Sequence, residues 1–163
     1  MRKIVMGVVG PSVAKKRELE QAFNLGKLIA KKKYVLLTGG FALGVMDAVN
    51  RGAKAGRGMT VGVLSSKDTT GVSKFVDIAI VTQMGSARNN INVLSSDIVV
   101  ACGNISLGTL SEIALALKAN KKVILMTDDK DATKYLKKTG GKNIFTAKTP
   151  MNVMALIKRN LNN

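Results

Sequence analysis

The stretch Asp97–Met126, DIVVACGNISLGTLSEIALALKANKKVILM, decides the fold of this chain. It opens on an apolar run, Asp97–Ala101, which predicts a buried strand. From Leu110 onward, apolar residues recur at i, i+3, i+4 and i+7, the spacing of a helix with one buried face, and predict a helix over Thr109–Asn120. A second apolar run, Lys122–Met126, follows directly. Near-continuously apolar strands joined by a helix are typical of a parallel sheet that is covered on both faces.

The same alternation extends in both directions from this stretch. The other predicted strands are Lys3–Val9, Tyr34–Leu37, Met59–Leu64, Asp77–Val81 and Asn143–Phe145. The other predicted helices are Ala14–Lys31, Leu43–Ala55, Gly85–Leu94, Asp129–Lys138 and Pro150–Leu161. We therefore predict an α/β fold, a three-layer, doubly wound, mainly parallel and Rossmann-like sheet with helices on both faces. We expect a single domain over residues 1–163, with a polar excursion at 65–76.

The residue types present exclude several kinds of chemistry. The chain has no histidine and one cysteine, Cys102, so it has neither a disulfide framework nor a nucleophile with a histidine base. The same shortage makes zinc and redox-metal sites improbable, and we predict no metal site. Any catalysis must use a carboxylate, an arginine, a lysine or backbone dipoles.

The charge balance predicts an anionic partner. Lys and Arg number 26 and Asp and Glu number 10, which gives a net charge of +16. The lysines come in short bursts without interleaved aromatic residues, so we read them mainly as a solvated surface with nonspecific affinity for nucleic acid. The apolar runs are too short to cross a membrane, and the N-terminus lacks the pattern of a secretory signal. We expect a cytoplasmic protein.

Small and hydroxyl residues fill the loops that follow the predicted strands, where ligands of open α/β sheets bind. The segment Thr38–Gly44, TGGFALG, lies between a strand and a helix, and its paired glycines suit either a phosphate or an ordinary tight turn. Arg88 falls at a helix start, where a cation is unfavourable unless an anion offsets the cost. Asp128 and Asp129 fit a ribose contact or a helix cap equally well.

The segment Gly103–Glu112, GNISLGTLSE, has two interpretations. Thr109 and Glu112 have the T-x-x-E spacing of a capping box, which accounts for both residues without any function. A cap does not require the eight-residue loop from Cys102 to Thr109, however, and that length favours a ligand site.

Three segments together resemble a known family. They are TGGFALGVMDAVNRGAKAGRGMTVGVL (38–64), MGSARNNINVLSSDIVVACG (84–103) and GTLSEIALALKANKKVIL (108–125). In this order they resemble the Rossmann-like Lonely Guy/lysine-decarboxylase-like superfamily, and most of all its molybdenum-cofactor carrier-like branch. The resemblance implies a nucleotide-type ligand at the carboxyl ends of the strands and assembly into dimers or tetramers.

The resemblance also implies roles for individual residues. Lonely Guy enzymes share a PGGxGTxxE signature and hydrolyse the N-glycosidic bond of nucleoside 5′-monophosphates. By position, Gly103, Gly108, Thr109 and Glu112 match that signature, and Arg88 matches an arginine that precedes it. If the protein is an enzyme, Glu112 and Arg88 are its predicted catalytic residues. The predicted ligand-binding residues are Gly10, Ser12, Thr38, Gly39, Gly40, Gly44, Met84, Arg88, Gly103, Gly108 and Thr109.

Departures from the signature weaken the hydrolase more than the ligand site. Cys102 replaces the proline, Asn104 replaces the second glycine, the loop is two residues longer, and Asn89 replaces a lysine. The resemblance therefore favours a carrier that binds the molybdenum cofactor, a phosphate-bearing pterin, or its pterin precursor. The alternative is a nucleoside-monophosphate phosphoribohydrolase with Glu112 as its essential acid. The expected partner in both cases is a small phosphorylated anion.

Overall fold

A computed structural model, which describes residues 2–161, contains a seven-stranded sheet in which every neighbouring pair of strands is parallel. The strands are β1 (Val5–Val9), β2 (Val35–Thr38), β3 (Met59–Leu64), β4 (Ile78–Val81), β5 (Ile98–Cys102), β6 (Lys122–Met126) and β7 (Ile144–Thr146). The predicted parallel sheet is thus confirmed. Of the predicted range 1–163, residues 1, 162 and 163 lie outside the described part.

Helices cover both faces of this sheet. They are α1 (Lys16–Lys31), α2 (Gly44–Ala55), α3 (Arg88–Leu94), α4 (Leu107–Lys118), α5 (Lys130–Gly140) and α6 (Pro150–Leu161). Buried side chains of α1, α2 and α6 form one apolar core with the sheet, and those of α3, α4 and α5 form another on the opposite face. Two cores on either side of one sheet confirm the three-layer, doubly wound architecture.

The strand order explains where a ligand site forms. Along the sheet the strands run β4-β3-β2-β1-β5-β6-β7. The chain winds outward from β1 to β4, returns to the other side of β1 as β5, and then winds outward again to β7. The loops after β1 and β5 therefore diverge, and a crevice opens between them at the carboxyl edge of the sheet.

Several helix boundaries differ from the predicted ones. The helix predicted over 85–94 is divided, since Gly85–Ala87 forms a 3₁₀ turn and the α-helix begins at Arg88. The helix predicted from Thr109 begins two residues earlier, at Leu107. The first helix begins at Lys16 rather than at the predicted Ala14. At this start the Glu18 carboxylate accepts a hydrogen bond of 2.8 Å from the Lys15 amide.

The connection from β3 to β4 contains neither an α-helix nor a strand, as predicted for the polar excursion at 65–76. It is held to the loop after β2 by a short antiparallel bridge between Phe41 and Val72. With no helix in this crossover, β4 is exposed along its whole length at one edge of the sheet.

Exposed apolar side chains and an absence of lysine mark one region of the surface. We call this region, made of residues 78–94 and 107–117 on β4, α3 and α4, the lysine-free face. Arg88 is the single Lys or Arg between Lys74 and Lys118, in a chain with 26 of them, and it is buried. The exposed apolar residues of the region are Ile78, Ile80, Val81, Met84, Leu94 and Leu107.

Within residues 2–161, none of the helices has the length and apolar character needed to cross a membrane.

Candidate functional site

A pocket of about 270 Å³ opens at the carboxyl edge of the sheet, between the loops after β1, β2 and β5. Seven elements or loops contribute to its wall. The lining residues are Val8, Val9, Gly10, Ser12, Gly39, Met46, Arg88, Asn89, Ser106, Gly108, Thr109 and Glu112. The pocket therefore lies at the switch point of the strand order, where ligands of this architecture bind.

Arg88 extends its guanidinium into this pocket from the first residue of α3. The residue is 9% exposed, and its Nε is buried without a hydrogen-bond partner among residues 2–161. The guanidinium also forms no ion pair among the described residues. Burial lowers the pKa of Arg88, and the nearby Glu112 carboxylate partly opposes that shift. An arginine that is buried and unpaired in this way is costly unless an anion completes it.

Gly39 leaves the room that this arginine occupies. A Cβ atom at Gly39 would lie 2.7 Å from Nη1 of Arg88 and 2.8 Å from Sδ of Met46. A side chain at this position would displace the ends of Arg88 and Met46 from the pocket wall. Gly39 thus leaves room for the arginine, whereas Gly40, with a φ of 81°, makes the turn.

Glu112 also lines the pocket, from the second turn of α4, which packs against α3. It is 9% exposed, and its Oε1 accepts a hydrogen bond of 3.2 Å from Nδ2 of Asn92. Burial raises the pKa of Glu112, while the bond from Asn92 and the charge of Arg88 act in the other direction. Since Arg88 and Asn92 are four residues apart on α3, they lie on the same face of that helix, and Asn92 supports Glu112 from behind the pocket wall.

The start of α4 corrects the predicted capping box. Ser106, and not Thr109, is the N-cap, and its Oγ accepts a hydrogen bond from the Thr109 amide at 3.3 Å. Thr109 is buried, with its hydroxyl 3.0 Å from that of Ser106. Because the helix begins earlier, Glu112 falls beyond the capping position and faces the pocket. The first turn of α4 then presents its N-terminal end to the site, a favourable arrangement for an anion.

The structure brings seven of the predicted site residues together in the pocket wall. These are Gly10, Ser12, Gly39, Arg88, Gly108, Thr109 and Glu112. The predicted residues Thr38, Gly40, Gly44, Met84 and Gly103 do not line the pocket. Met84 is exposed before the 3₁₀ turn, and Gly103 turns the chain out of β5.

Thr38 and Gly44 act as supports for the loops of the site. The Thr38 hydroxyl is buried and accepts hydrogen bonds from the Gly40 amide at 3.0 Å and from the Asn50 amide group at 3.1 Å. Gly44 has a φ of 46°, and a Cβ there would lie 2.3 Å from the Pro11 carbonyl oxygen. These contacts fix the loop after β2 against the loop after β1.

Sequence reasoning did not identify Met46, Asn89, Ser106 or Asn92 as parts of the site. Ser106 had a visible signal, because serine three residues before threonine is a good N-cap for the helix that follows. Asn92 also had one, since it lies one helical turn after Arg88. Asn89 had a signal as well, because it stands where the resemblance places a lysine beside the arginine. Met46 carried none, because its place in the wall depends on how α2 packs on the sheet.

Comparisons with known proteins give consistent matches over nearly the whole chain. The family model described as the SLOG cluster4 family matches residues 3–154. A protein of Archaeoglobus fulgidus is 42% identical over 123 residues, which are 76% of this chain and 80% of that protein.

Two solved structures are similar over almost their full length. The molybdenum cofactor binding protein of the phototrophic bacterium Rippkaea orientalis is 51% identical, with a TM-score of 0.96 and 99% of each chain covered. The molybdenum cofactor carrier protein of Chlamydomonas reinhardtii is 42% identical, with a TM-score of 0.93, and the match covers 99% of this chain and 100% of that one.

Proposed function

The chain belongs to the SLOG cluster4 family, and from this premise we propose that it binds the molybdenum cofactor, or the pterin precursor of that cofactor, and carries it unchanged. The proposed site is the pocket at the carboxyl ends of β1, β2 and β5. The names of the Rippkaea and Chlamydomonas proteins support this ligand. A nucleoside monophosphate is the second ligand to be tested, since it carries the same phosphate group.

The observation that carries the proposal is Arg88, whose Nε is buried without a hydrogen-bond partner and whose guanidinium forms no ion pair among the described residues. A phosphate oxygen in the pocket would give this group the charge-assisted partner that the described protein residues do not supply. The first turn of α4, at Gly108 and Thr109, adds backbone N–H groups and the positive end of a helix dipole. The site is therefore suited to the phosphate end of a ligand.

The metal of such a cofactor would not be bound by a histidine or cysteine side chain of this protein. The chain has no histidine, and its one cysteine, Cys102, is fully buried at the end of β5. Burial, with a smaller contribution from Glu18, raises the pKa of that thiol to about 12, so it remains protonated and is a poor metal ligand. In this proposal the protein holds the phosphate-bearing pterin, and the metal remains bound to the cofactor.

Binding without cleavage is favoured by the carboxylates of the pocket. Glycosidic hydrolysis commonly uses two carboxyl groups, one to protonate the leaving group and another to direct water or form a covalent bond. Of the residues that line the pocket, Glu112 is the one carboxylate. A single carboxyl group can fill only one of these two roles.

The test compares purified wild-type protein with Arg88→Met and with the control Arg51→Met, which changes an exposed arginine of α2 outside the pocket. We expect molybdenum and oxidised pterin to co-purify with wild type and with the control. We expect at least about a tenfold loss for Arg88→Met, because a hydrogen bond to a charged group contributes about 1.5–3 kcal/mol. Metal analysis and pterin fluorescence measure both components per chain.

Two results would contradict the carrier proposal. One is wild-type protein that retains no pterin and whose melting temperature no pterin phosphate raises. The other is release of free base and ribose 5-phosphate from AMP, abolished by Glu112→Ala, which would establish the hydrolase instead.

We also propose that copies of this chain assemble through the lysine-free face. Copies with a net charge of +16 repel each other, so contact is least costly where the surface carries no cation. The same elements expose Leu94 and Ile80, and contact between copies would remove such large apolar side chains from water. A twofold axis would bring this region against itself, beside the helix that carries Arg88.

A further inference from the structure

A second concave site lies on the same edge of the protein, above β6 and β7, and the proposed function does not use it. It is a groove of about 930 Å³ between α5, the start of α1 and the loop from β7 to α6. We call it the basic groove. Its lining residues are Arg17, Thr127, Asp128, Asp129, Lys130, Thr133, Lys134, Lys137, Thr146, Ala147, Lys148 and Asn152. None of them lines the Arg88 pocket.

Five cations converge on this groove from two walls. Lys130, Lys134 and Lys137 follow one another at helical spacing, so they share one face of α5. Arg17 and Lys148 face them from the start of α1 and from the loop after β7.

The two carboxylates of the groove, Asp128 and Asp129, offset only part of the charge of its five cations. Asp128 forms an ion pair with Arg17 at 3.0 Å. Asp129 is the N-cap of α5, and its Oδ1 accepts a hydrogen bond from the Ala132 amide at 2.9 Å. Within residues 2–161, none of the four lysines of the groove forms an ion pair.

Concavity distinguishes the basic groove from an ordinary lysine-rich surface. Like charges on a convex surface separate into solvent, whereas charges on facing walls concentrate a positive potential in the space between them. The volume is that of a small-molecule site, and Thr133, Thr146 and Asn152 add neutral hydrogen-bonding groups. No lining residue is aromatic, so the groove offers no surface on which the bases of a nucleic acid would stack.

We infer that the basic groove is a second anion-binding site, for a small molecule that carries several phosphate groups, such as a nucleoside polyphosphate. The inference is independent of the carrier proposal, because the two sites share no residue. The lysines of α5 would contact the phosphates, and the threonine hydroxyls and Asn152 would contact the rest of the ligand.

The test is calorimetric titration with inorganic tripolyphosphate and, separately, with ATP, at an ionic strength of about 0.15 M to suppress weak surface attraction. The variant is Lys134→Glu/Lys137→Glu. Its charge-matched control is Lys31→Glu/Lys158→Glu, two exposed lysines in the last turns of α1 and α6, outside the groove. Each protein is also titrated in an Arg88→Met background, so that failure of one site is distinguished from failure of the other.

We expect wild type and control to bind tripolyphosphate saturably, with and without Arg88. The groove variant should bind at least about tenfold more weakly, which corresponds to about 1.4 kcal/mol. Tighter binding of ATP than of tripolyphosphate would show that the groove also contacts the nucleoside. If the charge reversals unfold α5, Lys134→Ala/Lys137→Ala replaces them, with Lys31→Ala/Lys158→Ala as its control.

Equal weakening by the groove variant and its control would overturn the inference, because it would assign the binding to the net charge of the molecule. Absence of saturable binding to wild type would overturn it as well.

Discussion

Arg88 and Glu112 carry opposite charges in one pocket, yet they form no ion pair among the described residues. Each is instead perturbed mainly by its own burial, which lowers the pKa of the arginine and raises that of the carboxyl group. When Glu112 is protonated, its hydroxyl can donate a hydrogen bond to Asn92. Oδ1 of Asn92 is buried and unpaired within the described range, and rotation of the amide group would turn this oxygen toward Glu112.

At the residue scale, this raised pKa makes stability depend on pH in a defined direction. The folded protein holds the Glu112 proton more tightly than the unfolded chain, where the pKa is near its ordinary value of 4.5. The free energy of unfolding therefore falls as pH rises from that value through the higher folded pKa, and this contribution is constant outside that window.

Glu112→Gln cannot lose a proton and removes this loss of stability. We expect the free energy of unfolding of the variant, relative to that of wild type, to rise between about pH 4 and about pH 8. The rise should be about 1.4 kcal/mol for each pKa unit of difference between the folded and unfolded states. Urea unfolding at both pH values measures the gain, with the exposed Glu20→Gln as control. A difference in the free energy of unfolding between Glu112→Gln and wild type that is the same at both pH values would contradict the prediction.

At the element scale, the N-terminus of α4 depends on one hydroxyl group. Removing the Ser106 cap in Ser106→Ala should lower the free energy of unfolding by about 1 kcal/mol, because the Thr109 amide loses its partner. The same change should weaken anion binding, since the first turn of α4 lines the pocket.

Denaturant unfolding and calorimetry check these two effects. Ser106→Asn should restore stability, because asparagine also caps helices. The exposed Ser95→Ala, at the end of α3, should leave both quantities unchanged. Loss of stability in Ser95→Ala of the same size would show that the cap is not the cause.

Elements of the sheet were predictable, because a strand that is buried on both faces must be apolar throughout, as β5 is. The loops of the site were predictable for a related reason, since they follow the strands at one edge. What the sequence did not reveal is which loop residues face the ligand. Thr38 hydrogen-bonds to Asn50 beneath the site, and Met46 enters the wall, because of the way α2 packs against the strands.

At the scale of the whole molecule, the uneven distribution of charge predicts a salt dependence for assembly. Wild-type protein should have a mass that is a multiple of 17.3 kDa, and added salt should strengthen the assembly by screening the repulsion between copies. Ile80→Lys/Leu94→Lys should shift the protein toward the monomer, because it places cations on the lysine-free face. Light scattering after size-exclusion chromatography measures the mass.

The control for this experiment is Met151→Lys, which adds a cation at an exposed apolar residue of α6. It should leave the mass unchanged. A wild-type protein that is monomeric at every concentration and salt level would contradict the proposal that the lysine-free face joins copies of this chain.

Cys102 is a built-in reporter of local opening of the structure. It is the one thiol of the chain, it is completely buried, and it lies at the end of the strand that leads into α4. An alkylating reagent can reach it only when that part of the structure opens, so the rate of its modification reports how often β5 separates from its neighbours. A ligand bound between β1 and α4 would lower the rate of thiol modification without touching the sulfur. The modification rate would therefore measure how much of the protein has ligand bound.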